Sequence, residues 1–130
     1  MPADEVKMVI LVNRELGMSK GKVGAQAAHA ACYCLDELLR NEDKDYLSLY
    51  DKWNSNGVKK IVLRVEDENE LSQYLPHNEI GKKMISDGII VCPVEDQGFT
   101  ETGRITLTCI GIGPHHASVI DKYTGELHTL

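Results

Sequence analysis

Residues 6–40 read VKMVILVNRELGMSKGKVGAQAAHAACYCLDELLR, and the change of period inside this stretch decides the fold. Residues 6–12 are an apolar run rich in β-branched residues and interrupted only by Lys7, the pattern of a buried strand. Residues 13–19 form a loop, and Ser19 is placed to cap the next element. Residues 20–40 carry Val23, Ala27, Ala30, Ala31, Cys34, Leu35 and Leu38 at helical spacing, one apolar stripe. A second stripe, Lys22, Gln26, His29 and Tyr33, is spaced by four, three and four and shares one helical face. Gly21 and Gly24 cost this helix about 1 kcal/mol each relative to alanine. They suit either a close approach to the backbone at the helix start or tight packing against another helix.

Working outward, residues 45–55 form a second helix that buries Trp53 with Leu49, or with Leu47 and Tyr50, and Asn56-Gly57 stops it. Residues 58–65 alternate partly and form a strand. Residues 67–75 open a helix with an acidic first turn, which suits the helix dipole. Pro76 interrupts it, and residues 78–87 resume as a helix closed by Gly88. Strands follow at residues 89–94 and 104–112, separated by a polar loop at residues 95–103. A short helix spans residues 115–121, and residues 126–130 form an edge strand. Helices between the early strands imply a mostly parallel arrangement. The loop after residue 94 is too short for a parallel crossover, so the last strand pair is antiparallel and the sheet mixed.

The 130 residues suit one domain spanning 1–130, with a flexible N-terminus at residues 1–5. Hydrophobic residues make up 42% and charged residues 26%, which excludes a disordered chain. Aromatics are only Phe99, Trp53 and five Tyr, so the core is aliphatic. No apolar run approaches the ~20 residues of a membrane helix, and no secretory cleavage pattern follows the first apolar run, so the expected compartment is the cytoplasm. Cys32, Cys34, Cys92 and Cys109 contain no C-x-x-C pair and read as small hydrophobes. The net charge of -6 argues against indiscriminate nucleic-acid binding. The charge is uneven, however. Residues 36–45 hold five acids and two bases, residues 66–79 five acids and no base, and residues 14–24 three bases and one acid. A polyanion would approach by residues 14–24.

Lys20 and Lys22 sit at a strand-to-helix junction, where free backbone N–H groups and the helix dipole attract anions. GMSKGK does not match the spacing of a P-loop. His115, His116 and His128 lack partners at metal-ligand spacing, so no metal or cofactor is expected. No G-x-S-x-G is present. The loop Glu95-Asp96-Gln97-Gly98-Phe99-Thr100-Glu101 follows a buried strand, where α/β folds place ligands. Asp96 suits a general base or a water-orienting group, and Thr100 a hydrogen-bond donor.

Three segments taken together, residues 17–31 (GMSKGKVGAQAAHAA), Trp53 with Gly57 and residues 60–65 (KIVLRV), and residues 94–100 (VEDQGFT) through 112–127, resemble the type-two peptidyl-tRNA hydrolases over nearly the whole chain. The resemblance implies a compact α/β domain with a mixed four-stranded sheet flanked by helices. It implies hydrolysis of the ester joining a peptide to the 3′ ribose of tRNA, with peptidyl-tRNA as partner and no cofactor. The family's G-K-G-K lysine falls on Lys22, its D-x-G-R-T aspartate and threonine on Asp96 and Thr100, and its helix glutamine and histidine on Gln26 and His29. Lys22, Asp96 and Thr100 are then the catalytic candidates. Arg14, Lys20, Gln26, His29, Phe99 and Arg104 are the substrate-binding candidates. Phe99 stands where the family has arginine, Glu101 replaces a glutamine, and Gly103-Arg104-Ile105 replaces A-P-G. Those departures support a second reading, a member with altered or lost catalysis that binds RNA or protein. Small-residue helix faces are compatible with a homodimer.

Overall fold

The structure, a computed structural model, describes residues 5–96 and 105–130. Strand β1 (Val6–Asn13) leads through a 3-10 turn (Arg14–Leu16) into α1 (Lys20–Arg40), followed by α2 (Lys44–Ser55) and β2 (Lys60–Val65). Then come α3 (Glu68–Ser72), α4 (Glu79–Ser86), β3 (Val91–Asp96), β4 (Thr106–His116) and α5 (Ala117–Thr124). The sheet order is β2-β1-β4-β3. β1 pairs parallel with β2, whereas β4 runs antiparallel to both β1 and β3. The expected α/β domain with a mixed four-stranded sheet flanked by helices is therefore what forms.

β1 explains the layering. Val6, Met8, Ile10 and Val12 face one core with Ala30, Cys34 and Leu38 of α1 and Leu49 and Trp53 of α2. Val9 and Leu11 face the other core with Leu71, Met84 and Ile120 from α3, α4 and α5. A strand covered on both faces needs apolar residues along its central positions, which is why residues 8–12 read as a continuous apolar run. Leu49 and Trp53 are the buried side of α2, and Leu47 is exposed. Cys34 and Cys109 join the core, while Cys32 lies exposed.

Several boundaries move for identifiable reasons. β2 starts at Lys60 rather than residue 58, because Val58 takes φ 50 and donates its N–H to Trp53 O, closing α2. The helix expected over residues 67–75 stops at Ser72. Tight turns follow, with Tyr74 N–H on Leu71 O and Leu75 N–H on Ser72 O, because the residue before a proline is pushed out of the helical region. β4 runs on through Gly113 and Pro114 to His116. Pairing with β3 ends at Ile112, and the register with β1 shifts between Lys7 and Val9, so the proline sits at an irregularity where a missing N–H is tolerated. Accordingly α5 begins at Ala117. Residues 126–130 make no full strand. Thr129 bridges Leu63, and Leu130 N–H reaches Val62 O at the sheet edge. At the other end, Glu5 is tied down by Lys59 Nζ at 2.6 Å and by Ala117 N–H at 2.7 Å, and residues 1–4 lie outside the described residues.

Gly111 sets how closely α1 approaches β4. A Cβ at this position would lie 2.7 Å from Cys34 Sγ, 3.0 Å from Ala30 O and 3.2 Å from Ala30 Cβ. The contact includes helix backbone, so the helix itself must move to admit a methyl group. Gly111→Ala is expected to destabilise the fold by about 1–3 kcal/mol, read as a lower urea midpoint at unchanged slope. An unchanged midpoint would mean that α1 is not held at this distance.

Candidate active site

The candidate site lies where β1, β3 and β4 meet the start of α1. Asn13, the last residue of β1, is buried, and its Oδ1 accepts from Glu15 N at 3.0 Å, starting the 3-10 turn. Gly17 closes that turn with φ 56, and Ser19 then caps α1, its Oγ accepting from Lys22 N at 3.2 Å. The cap is the one the sequence indicates. It fixes the first helical turn, from which Lys20 and Lys22 project. Gly21 and Gly24 are exposed, and an added Cβ at either would meet nothing within 4 Å, so neither serves helix packing within the chain.

Lys22 Nζ donates to Asp96 Oδ2 at 2.9 Å. Their side chains are 44% and 25% exposed, so the pair is open to a substrate yet partly shielded from solvent. Asp96 ends β3, and its register partner is Thr106. Two candidates 74 residues apart in the chain are thus brought into direct contact.

Beneath the pair, Gln26 departs from the polar stripe on which its spacing places it. It is 5% exposed and belongs to the buried row of Gln26, Ala30, Cys34 and Leu38. Its Nε2 donates to Thr108 Oγ1 at 3.0 Å, and Thr108 Oγ1 donates to Val94 O at 3.1 Å. Thr108 is available because the β3–β4 register shifts there. Val94 pairs with Cys109 and Glu95 with Leu107, which leaves Thr108 as the extra residue of a bulge. Bulges re-aim a side chain that strand alternation would send to the other face. Cys109 Sγ donates to Gln26 O at 3.3 Å, and burial pushes its thiol up to about 11, so it stays a neutral donor rather than a nucleophile. Sequence reading missed Thr108, since nothing in the alternation of residues 104–112 marks the bulge.

The remaining candidates spread out. His29 is exposed and stacks on Tyr33 at 6.3 Å between ring centroids. It lies seven residues past Lys22, roughly 10 Å along the helix axis. Arg14 pairs with Glu66 at 3.4 Å, both largely exposed. Lys20 lines a pocket with Val12, Asn13, Arg14, Gly17, Met18, Val23 and Leu130. Phe99, Thr100 and Arg104, with Glu101 and Gly103, lie outside the described residues. Among the described residues no group of three or more His, Cys, Asp or Glu is arranged to hold a metal ion. No described helix is long and apolar enough to cross a membrane.

The Gln26–Thr108 contact supports the floor of the site. Thr108→Val keeps the shape but leaves the Gln26 amide and the Val94 carbonyl each short of a buried partner. The expected cost is about 1–3 kcal/mol by chemical denaturation, and a neutral result would contradict this role.

Comparison with known proteins gives a consistent result. The family model described as "Peptidyl-tRNA hydrolase PTH2" matches residues 6–130. A peptidyl-tRNA hydrolase of Thermoplasma volcanium is 38% identical over 125 residues, covering 96% of this chain and 98% of its own length. One from Nanoarchaeum equitans is 39% identical, covering 94% and 96% respectively. A bovine protein named "Peptidyl-tRNA hydrolase 2, mitochondrial" is 35% identical over 95% of this chain and 63% of its own length. With a family model spanning the whole sheet and every helix, and two of these relatives matched almost end to end, this chain belongs to the PTH2 family of peptidyl-tRNA hydrolases.

Proposed function

We propose that the family's reaction, hydrolysis of the ester between peptide and tRNA in peptidyl-tRNA, is carried out here by Lys22 and Asp96, with Thr100 assisting. The observation that carries this reading is the 2.9 Å contact between Lys22 Nζ and Asp96 Oδ2 at the start of α1. An ammonium has three donors, so Lys22 can hold Asp96 with one and still offer others to a substrate carbonyl. Asp96 accepts a proton from water as the water oxygen bonds to the ester carbon. Lys22, with the free N–H groups of the first helical turn, stabilises the oxyanion that develops. The carbon–oxygen bond to the 3′ ribose then breaks, and the departing oxygen takes the proton back from Asp96. The products are free tRNA and the peptide acid, which ionises to the carboxylate by releasing its proton to solvent.

Arg14 and Lys20 supply charge for the phosphates at the tRNA end. Gln26 acts through Thr108 as a positioning residue rather than touching substrate. His29 plays a supporting part on the exposed face, and Phe99 and Arg104 contact substrate from the loop. No observation favours a non-catalytic binding module. In the same reading the protein works in the cytoplasm, and the exposed Gly21, Gly24, Ala25 and Ala28 face of α1 would let two copies pair, which sedimentation tests.

Release of peptide from an N-blocked aminoacyl-tRNA, measured with EDTA present, tests the assignment. Lys22→Ala and Asp96→Asn should each lower kcat by about a hundredfold or more. Both should leave stability within about 1 kcal/mol of wild type, because the pair lies at the surface with Lys22 nearly half exposed. Normal turnover by either folded variant would remove the assignment.

A further inference from the structure

The pocket beside the reacting pair is built differently from the pair itself. It has a volume of about 410 Å³, within the roughly 300–1,000 Å³ that holds small ligands. Val12, Met18, Val23 and Leu130 give it apolar walls, and Arg14 and Lys20 add two cations. Asn13 lines it too. That residue is 1% exposed, and its Nδ2 has no hydrogen-bond partner among the described residues. A buried amide donor is ordinarily paired, so this wall calls for an acceptor. The Arg14–Glu66 contact is long and exposed, worth little, and readily exchanged for an anion.

We infer that this pocket receives the 3′-terminal adenosine nucleotide of the tRNA, its base among Met18, Val23 and Val12 and its 5′-phosphate on Lys20 and Arg14; the inference rests on the reaction proposed above. An apolar slot with cations and an unsatisfied donor matches a purine nucleotide, which offers a flat apolar face, ring-nitrogen acceptors and a phosphate. The Met18 thioether is polarisable and suits a planar ring. The constancy of the group also favours it. Nascent peptides differ from one substrate to the next, whereas the nucleotide bearing the ester is always adenosine, so a shaped pocket is useful for the nucleotide. The placement fits the chemistry as well. Lys20 and Val23 line the pocket while Lys22 holds Asp96, so one helical turn of about 5.4 Å pitch carries both the pocket wall and the reacting centre.

The test is a titration of the intact protein with 5′-AMP, 5′-UMP and inorganic phosphate, followed by amide NMR shifts. 5′-AMP should move Gly17, Met18, Lys20 and Val23 first, at about tenfold lower concentration than 5′-UMP or phosphate. Val23→Phe, which fills the slot, should abolish those shifts. It should raise KM for an N-blocked aminoacyl-tRNA about tenfold or more while changing kcat less than about twofold. The wild-type titration needs no variant, so a Val23→Phe protein that failed to fold would leave the question answerable. Shifts on another surface, equal effects from phosphate alone, or AMP binding unchanged in Val23→Phe would each overturn the pocket. The titration does not read turnover, so the two proposals fail separately. AMP binding here without hydrolysis would support the pocket and fault the reaction, and hydrolysis without these shifts would do the reverse.

Discussion

The seating of α1 against β4 is the constraint on which the rest of the structure depends. Gly111 offers no side chain, so Ala30 and Cys34 lie directly on the strand. One turn nearer the N-terminus, Gln26 and Thr108 replace apolar contact with a buried hydrogen bond. These contacts fix both the height and the rotation of the helix. Its first turn then presents Lys22 to the end of β3, where Asp96 waits. A displacement of α1 would therefore be felt at the 2.9 Å contact between Lys22 and Asp96, since positioning errors of about an ångström are costly at a reacting centre.

The mixed sheet serves the same end. β1 and β2 run parallel, so the crossover through α1 and α2 must return over one face of the sheet. β4 enters antiparallel between β1 and β3, which brings the end of β3 beside the end of β1. The loop that begins α1 and the strand end bearing Asp96 therefore meet at one rim. The bulge at Thr108 tightens that rim by turning a hydroxyl toward α1 where alternation would have turned it away. Of the acids of residues 66–79, Glu66 reaches the cationic approach and pairs with Arg14, while the others lie on the segment carrying α3 and the start of α4.

Much of this was legible in the sequence. The apolar run at β1, the Ser19 cap, the full length of α1 and the antiparallel last pair all follow from local pattern and loop length. What escaped is non-local. Gln26 reads as surface by residue type, yet its position relative to Ala30, Cys34 and Leu38 is a buried one, and only a partner 82 residues away makes a buried amide acceptable there. The strand expected to end at residue 112 continues through Pro114 to His116, where pairing with β3 has already stopped. Asp96 was singled out by its loop and by family resemblance. Spacing alone could not show that it touches Lys22. The pocket beside α1 is assembled from the end of β1, the turn after it, the helix start and Leu130, so no single stretch of sequence announces it.

The central claim is that Lys22 and Asp96 act as one unit, and a double-mutant cycle on kcat tests it most directly. Lys22→Ala, Asp96→Asn and the double variant would be compared with wild type in single-turnover release of an N-blocked aminoacyl group from tRNA. If the two residues work together, the double variant should be about as slow as the slower single variant. Losses that multiply, each residue costing its full factor in the absence of the other, would contradict the account and assign the two side chains to separate steps.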